Sequence, residues 1–440
     1  MAVAGETDAE PATWKGVKLS HVAAVAAGNA LGFYDFLTYV YFAVYIGKAF
    51  FPAHDPFVSL LVAYGASFIG FVARPIGAMV IGPMGDRIGR KAAMMLSFAL
   101  MGVGVVGVAL TPTYAQIGIA APILVVLFRV VQGFALGGEV GPTTAYLIEA
   151  APPHRRGLYA SAQYATQDLG VLAAGLIGTA LAATLTPDQL QGWGWRIAIL
   201  IGALIVPFGF WVRTRLPETL HAVDDAALAP DATVGDTRRP PGLRPYLTLI
   251  VLGLMMLTSG TIGSYVGSYM TTYAQTTLNM AQTAAFGIII VNGGFAVLFE
   301  PVSGWLADRF GRKPVMLIPG VIQLLVVFPA FWAIAHYRTV VVFYVAVAVV
   351  TILQSLSTPP VIVTLTEQLP RRVRSGVVAI VYAFAISIFG GSTQLVITGL
   401  LKWTGDPLMP AYYWSGALVV GLIAMALVKE SAPGKQRASP

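Results

Sequence analysis

The 440-residue sequence predicts an all-α integral membrane protein with twelve transmembrane helices arranged as two pseudo-symmetric six-helix bundles. Three observations predict this class: the composition, the number of long apolar stretches, and motifs that recur in both halves. Hydrophobic residues make up 57% of the chain and charged residues only 11%, whereas a soluble domain carries about 25% charged residues. Together with a mean hydropathy of +0.75, this composition excludes a soluble enzyme. The lack of cysteine excludes thiolate catalysis.

Twelve stretches are long and apolar enough to cross about 30 Å of hydrocarbon, which takes about 20 helical residues. The first stretch is too long for a cleavable signal peptide and contains Asp35, so we expect it to remain as a span. The predicted spans are 19–46, 58–81, 92–111, 117–148, 157–184, 194–213, 245–274, 283–306, 314–335, 339–368, 374–400 and 410–428.

Basic residues are distributed unequally between the two sides of this topology. Most of the 27 Lys and Arg residues fall in the loops on the side of the two termini. Because positively charged loops stay in the cytoplasm, this asymmetry predicts a multi-pass membrane protein with both termini cytoplasmic. It also accounts for the net charge of +7 without a nucleic-acid partner.

A polar segment rich in Pro, Ala and Asp interrupts the hydrophobic pattern at residues 214–244. Six predicted spans precede this segment and six follow it. Its composition is typical of a linker. We therefore predict an N-terminal bundle at 1–213, a cytoplasmic linker at 214–244 and a C-terminal bundle at 245–440.

The two halves share two motifs. The pattern G-x-x-x-D-R-x-G-R-K occurs at 82–91, after span 2, and again at 304–313, after span 8. The pattern E-x-x-P-x-x-x-R begins at Glu149, after span 4, and at Glu367, after span 10. Two motifs repeated at nearly the same offset indicate a duplicated six-helix unit, as in transporters built from parallel repeats.

Through the doubled D-R-x-G-R-K loops the chain resembles the major facilitator superfamily. More narrowly, it is similar to the metabolite:proton symporters, and the start and end of span 1 are most similar to citrate and tricarballylate carriers. One position departs from that pattern, because Gly32 stands where relatives commonly have Glu, which leaves Asp35 as the single acid of span 1. The matching segments are 28–31, 34–36, 48–52, 74–77, 129–133, 137–139 and 193–196.

The resemblance implies the major facilitator fold and proton-coupled symport of a small organic anion by alternating access, with citrate or a related tricarboxylate as the expected substrate. We also expect a monomer in a bacterial-type inner membrane. We expect protons, the anion and the lipid bilayer as partners, and no cofactor, metal or nucleic acid, since the five His are scattered and no Walker motif is present. A dicarboxylate, a sugar acid, a zwitterionic osmolyte and a receptor that does not translocate its ligand remain alternatives.

Ionisable residues within spans are costly, so each one is a functional candidate. Asp35 is predicted to take up and release a proton with Arg129 as its partner; the alternative is a static ion pair that fixes packing. Asp168 either faces a cavity or pairs with an arginine. Glu300 stands out in the second half without an assigned role. The predicted proton-coupling residues are Asp35, Arg129, Glu139 and Asp168.

Two arginines and several uncharged polar side chains suit a carboxylate substrate. Arg74 offers the planar fork that binds carboxylates, or else it braces span 2. Amide and phenol groups at the bilayer midplane need partners, which a polar cavity or a neighbouring helix supplies. The predicted substrate-binding residues are Asn29, Tyr34, Arg74, Arg129, Gln132, Gln163, Gln167, Tyr269, Asn292, Gln354 and Tyr382.

The repeated loops also contain acids, which the distribution of positive charge does not explain. At matching positions in the two halves, these acids and their neighbouring arginines predict two charge networks that close the cytoplasmic side. The predicted gating residues are Asp86, Arg90, Glu149 and Arg156 in the first half and Asp308, Arg312, Glu367 and Arg374 in the second.

Overall fold

The computed structural model describes residues 19–88, 90–137, 155–204, 206–208, 246–369 and 371–432, and within these ranges every regular element is a helix. The predicted linker at 214–244 lies outside these ranges, and so do Glu139 and Glu149. The side chains of Asn29, Asp86, Arg90 and Arg374 also lie outside the described set.

Twelve helical segments of the described chain correspond to the twelve predicted spans, which we number in chain order. Ten of them satisfy the length and apolarity of a membrane helix, and span 1 adds an eleventh when its two bent parts count together. Span 3 contributes a shorter apolar helix, Met95–Leu110. The segments are Leu19–Tyr41 with Ala43–Phe50, Pro56–Ile88, Arg90–Leu110, Ala120–Gly137, Arg156–Thr184, Pro187–Phe208, Leu247–Thr276, Gln282–Phe310, Arg312–Tyr337, Val340–Ser357 with Pro359–Gln368, Arg371–Phe384 with Ala385–Gly390 and Gly391–Thr404, and Met409–Leu427.

Two predicted spans are interrupted in the structure. Span 1 bends by 61° where its helix breaks at Phe42. Span 10 is divided at Thr358, just before Pro359 and Pro360, because proline has no N–H for the helical ladder. The predicted number of spans is confirmed, but these breaks are not visible as changes in hydropathy.

The conformation of Gly311 explains why the repeated motif has a glycine after Asp-Arg-x. It ends span 8 and begins span 9 with a φ of 105°, a conformation that glycine adopts without a steric penalty. The chain therefore turns between the two spans without an intervening loop. This turn sets Asp308 and Arg312 beside each other at one end of the bundle, which we call the loop end.

Span 5 of the first half packs along span 8 of the second, and this contact forms the seam between the halves. At the loop end the approach is close, because a Cβ on Gly157 would lie 2.6 Å from the carbonyl oxygen of Gly304. At the opposite end the Tyr64 and Thr272 hydroxyls are 2.7 Å apart. The Phe42 and Phe286 rings pack against each other there, with centroids 4.7 Å apart and planes tilted by 37°. The halves are thus joined at both ends.

Apolar side chains on the outside of the bundle are largely exposed, for example Leu298, Leu325 and Val341. The interior contains buried polar groups as well as apolar ones. An outer surface this rich in exposed apolar side chains differs from that of a soluble protein and fits a hydrocarbon solvent.

Candidate functional site

A cavity of about 110 Å³ lies between the halves, between the contacts that join their two ends. Spans 1, 5, 7, 8, 10, 11 and 12 contribute to its wall. In the described part of the chain no Lys or Arg lines it. Its polar and aromatic lining includes Gln167, Asp168, Tyr265, Asn292, Glu300, Gln354, Tyr382 and Trp414.

Two of the predicted amides in this wall are also bonded to neighbouring helices. Asn292 Oδ1 accepts a hydrogen bond from Thr351 Oγ1 at 2.8 Å. Gln354 Nε2 donates to the Gly260 carbonyl at 2.8 Å, and Gln354 Oε1 accepts from Gln323 Nε2 at 2.8 Å. The amides therefore hold the wall in shape while presenting polar atoms to the cavity.

Gln167 of span 5 and Tyr382 of span 11 connect the two halves, since Gln167 Nε2 donates to the Tyr382 hydroxyl at 3.4 Å. Three other predicted binding residues are buried in packing positions and do not line the cavity. Tyr34 donates to the Ala198 carbonyl at 2.7 Å, Tyr269 accepts from Thr398 at 3.2 Å, and Gln163 is buried in span 5.

Asp35 and Arg129 are linked through Gln132 and do not form a direct ion pair. Gln132 Nε2 donates to Asp35 Oδ2 at 2.5 Å, and Arg129 Nη1 donates to Gln132 Oε1 at 2.5 Å. Arg129 Nη2 also donates to Ser67 Oγ at 3.1 Å. Asp35, Gln132 and Arg129 are each at most 3% exposed, and none of the three lines the cavity. The direct pairing predicted from the sequence is therefore replaced by a relay through an amide.

This cluster also leaves polar atoms unsatisfied. Neither Asp35 Oδ1 nor Arg129 Nε has a hydrogen-bond partner among the described residues. Span 6 presses against the carboxyl, since a Cβ on Gly202 would lie 2.9 Å from Asp35 Oδ1. A buried acid with one unbonded oxygen is suited to accepting a proton.

Arg74 lies in the same half and does not line the cavity. Its guanidinium stacks on the Phe36 and Phe71 rings at 4.0 and 4.3 Å, and Arg129 stacks on the Phe36 ring at 4.7 Å. It also lies within hydrogen-bonding contact of the Tyr265 hydroxyl. None of the described carboxylates forms an ion pair with Arg74.

Asp168 meets an acid at the seam and not an arginine. Its carboxyl group is in hydrogen-bonding contact with that of Glu300, which comes from the other half. Both residues line the cavity. The sequence marked Glu300 as an intramembrane acid, but no sequence spacing relates spans 5 and 8, so the contact was not predictable.

At the loop end, Arg312 pairs with two acids as the repeated motifs predict. Its Nη1 lies 2.6 Å from Asp308 Oδ1, and its Nη2 lies 3.2 Å from Glu367 Oε1. Asp308 reaches across the seam as well, because its carboxylate accepts from the backbone N–H groups of Gly157 at 2.8 Å and Leu158 at 3.0 Å. An acid of the second half therefore caps the first turn of span 5 in the first half.

Glu430 completes this network and was not predicted. Its two oxygens accept from the backbone N–H groups of Arg312 and Lys313 at 2.9 and 3.0 Å, so it caps span 9. Burial raises its pKa, but bonds from four backbone N–H groups outweigh burial and hold the pKa of this carboxyl below its ordinary value. Ser431 Oγ, next in the chain, donates to Glu367 Oε2 at 2.7 Å. The sequence gives no signal for this role, since Glu430 lies outside both repeated motifs.

Two six-helix halves around a polar central cavity define the class: a polytopic all-α membrane carrier. A family model described as the Major Facilitator Superfamily matches residues 22–393 and 286–440, and the chain belongs to that superfamily. The predicted family and fold are confirmed.

Relatives over the full length are transport proteins. The chain is 32% identical to a citrate-proton symporter of Klebsiella pneumoniae over 429 aligned residues. The alignment covers 97% of this chain and 96% of that protein. It is 31% identical over 416 residues to a putative proline/betaine transporter of Staphylococcus aureus strain COL, with 94% and 89% covered. A solved xylose transporter of E. coli, in a partially occluded inward-open conformation, matches with a TM-score of 0.75 at 18% identity over 94% of this chain and 98% of that one. That likeness shows the fold alone.

Proposed function

We propose that this protein is a proton-coupled symporter of a small organic anion, with citrate or a related tricarboxylate as substrate, and that it works by alternating access of its two halves. The observation that carries the proposal is Arg74, a buried guanidinium beside the cavity wall that has no carboxylate partner in the described part of the chain. The 32% identity to a citrate-proton symporter supports the choice of substrate.

Arg74 is suited to a carboxylate for two reasons. Its Nε has no hydrogen-bond partner among the described residues, and the aromatic rings of Phe36 and Phe71 hold the guanidinium plane in place. A planar guanidinium binds a carboxylate through two parallel bonds. Tyr265 contacts Arg74 and lines the cavity, so a movement of that tyrosine would bring the cation into the wall.

The Asp35–Gln132–Arg129 chain supplies a proton site beside this cation. Entry of an anion into a cell that is negative inside is unfavourable, and protons moving inward with it offset that cost. Arg129 is linked to Asp35 through Gln132, and its positive charge favours the ionised form of the acid. An anion that binds the Arg129 guanidinium and draws it away removes this effect. Asp35 then takes up a proton more easily.

The loop end faces the cytoplasm in this proposal, in agreement with the positive charge of the loops on that side. The Asp308–Arg312–Glu367 network then holds the inner side closed while the carrier is open to the outside. The same role is proposed for Asp86, Arg90, Glu149 and Arg156 from the repeat of the motif.

A zwitterionic osmolyte is the second candidate, because two acids and several aromatic side chains line the cavity and no described cation does. Aromatic faces attract quaternary ammonium groups. The identity to a putative proline/betaine transporter supports this candidate too.

Uptake by purified protein in proteoliposomes decides between the two. With an imposed pH gradient, labelled citrate should accumulate, and unlabelled tricarballylate should compete more strongly than glycine betaine or proline. Arg74→Gln should lower citrate uptake at least about tenfold, because an uncharged amide cannot pair with a carboxylate. The matched control, Lys48→Gln, removes an exposed cation and should transport as the wild type does. Accumulation of betaine in place of citrate would favour the second candidate, and binding without counterflow would indicate a receptor.

A further inference from the structure

We propose that Asp168 and Glu300 form one proton-binding site in the wall of the cavity, and that this site keeps its proton while an anion occupies the cavity. The first part stands on the geometry of the seam. The second part rests on the proposed function.

The two carboxyl groups come from different halves of the molecule. Asp168 lies in span 5 and Glu300 in span 8, and the groups are in hydrogen-bonding contact where these spans pack together. Glu300 is 5% exposed, and both residues line the cavity. Glu300 Oε2 has no donor among the described residues.

The contact between the two carboxyl groups requires a proton. Carboxylate oxygens only accept hydrogen bonds, so a contact between two carboxyl groups away from water is favourable only when one of them carries a proton to donate. Carboxyl pairs that share one proton are a known arrangement at acid–base sites. The unbonded Oε2 of Glu300 and the contact of Glu300 with Asp168 therefore both indicate a bound proton.

None of the described cations forms an ion pair with either acid, and Arg74, which contacts Tyr265, does not line the cavity. No described Lys or Arg lines the cavity, and the titratable groups that face the pair from the packed spans are neutral phenols. They are Tyr41 of span 1, Tyr164 of span 5, Tyr265 of span 7 and Tyr382 of span 11. Loss of the proton would leave two negative charges facing each other across the seam.

Anion binding and protonation are coupled as a result. An anion in the cavity would be a third negative charge beside an ionised pair, so the occupied and closed cavity requires the protonated pair. Opening at one end lets water reach the site, and the anion and the proton leave on the same side. The site thus adds a coupling proton to the one assigned to Asp35.

An infrared measurement on the purified protein tests the site without any substrate. Near neutral pH the wild type should show a C=O absorption of a protonated carboxylic acid that Glu300→Gln and Asp168→Asn each lose. Either single variant leaves one acid beside an amide that can donate to it, so the remaining acid ionises and the packing survives. Asp188→Asn, which changes an exposed acid, should keep the band. Retention of the band in both seam variants would overturn the site.

Transport and binding test the coupling with labelled citrate as the probe. In Glu300→Gln and Asp168→Asn, citrate counterflow should stay within a few-fold of wild type, while accumulation driven by a pH gradient should fall at least about tenfold. Above the pH at which the wild type loses its infrared band, the free pair is ionised and takes up a proton when citrate binds. In that range the pH dependence of citrate affinity should decrease by one proton in each variant, which is about a tenfold change in Kd per pH unit. Wild-type accumulation with an unchanged pH dependence would overturn the coupling.

The two experiments keep the two proposals apart. If the wild type neither binds nor transports citrate, the proposed substrate is wrong, and the infrared band still decides whether the seam site exists. If the wild type accumulates citrate and the seam variants do so equally, the proposed function stands and the coupling at the seam is wrong.

Discussion

The central cluster around Asp35 and the network around Arg312 contain the same kinds of side chain but differ in how completely these are paired. Arg312 bonds directly to Asp308 and Glu367, and the remaining oxygens of those acids accept from backbone or hydroxyl groups. In the central cluster an amide stands between the acid and the arginine, and Asp35 Oδ1 and Arg129 Nε have no partner among the described residues.

Complete pairing suits the Arg312 network to keeping a contact fixed. Incomplete pairing suits the Asp35 cluster to a change of protonation or of bonding partner. A buried polar atom left without a partner costs about 1–3 kcal/mol, so it persists where function requires it. The satisfied network is suited to fixing the loop end closed. The unsatisfied cluster is suited to accepting a proton or an anion.

The largest expected effect follows from removing the acid of the central cluster. Asp35→Asn should reduce proton-driven accumulation of citrate to background while counterflow survives, because an amide still accepts from Gln132 but takes up no proton. Accumulation against a gradient is measured beside counterflow in the same proteoliposomes. Accumulation at the wild-type level would remove Asp35 from proton coupling and leave Asp168 and Glu139 as candidates.

The second effect concerns the arginine of the same cluster. Arg129→Lys keeps the charge but loses the fork that bonds both Gln132 and Ser67, so it should retain less than about a tenth of wild-type transport. Arg129→Gln should retain almost none, and the pH dependence of citrate affinity should flatten. A variant that folds, transports at the wild-type rate and keeps this dependence would show that Arg129 is structural.

A smaller and different effect is expected at the loop end. Asp308→Asn weakens charge-assisted bonds to Arg312 and to the start of span 5, which destabilises the closed loop end by roughly 1–3 kcal/mol. Turnover should slow while equilibrium citrate binding stays within a few-fold of wild type. Asp86→Asn should behave alike if the first-half motif repeats the role. Loss of binding in a well-folded Asp308→Asn protein would contradict the distinction between the two regions.

The smallest effect is expected at the end of the bundle opposite the loop end. There Lys402 Nζ, in span 11, pairs with Asp55 Oδ2, just before span 2, at 2.9 Å on the surface. Because exposed ion pairs contribute little, Lys402→Gln should change citrate uptake less than about twofold. The hydrogen bond from Lys402 holds the pKa of Asp55 below its ordinary value, so the pair is present above the ordinary pKa of Asp and is lost as pH falls through the lowered one. A larger loss of uptake in Lys402→Gln would mean that this end also gates transport.

The amino-acid sequence by itself determined the spans, the two halves and the second-half network around Arg312. Spans follow from the length of apolar stretches, and Asp308 and Arg312 are four residues apart around a glycine that must turn. Glu367 was found because its motif repeats. Each of these inferences needs only local chemistry or a comparison of the chain with itself.

Tertiary structure alone decided which buried polar groups meet. The contact of Asp168 with Glu300, the position of Gln132 between Asp35 and Arg129, and the cap formed by Glu430 all depend on how each helix is rotated about its axis. In a soluble protein an apolar stripe fixes that rotation. In a membrane both the lipid-facing and the interior faces of a helix are apolar, so hydrophobic periodicity leaves the rotation open and packing between helices sets it.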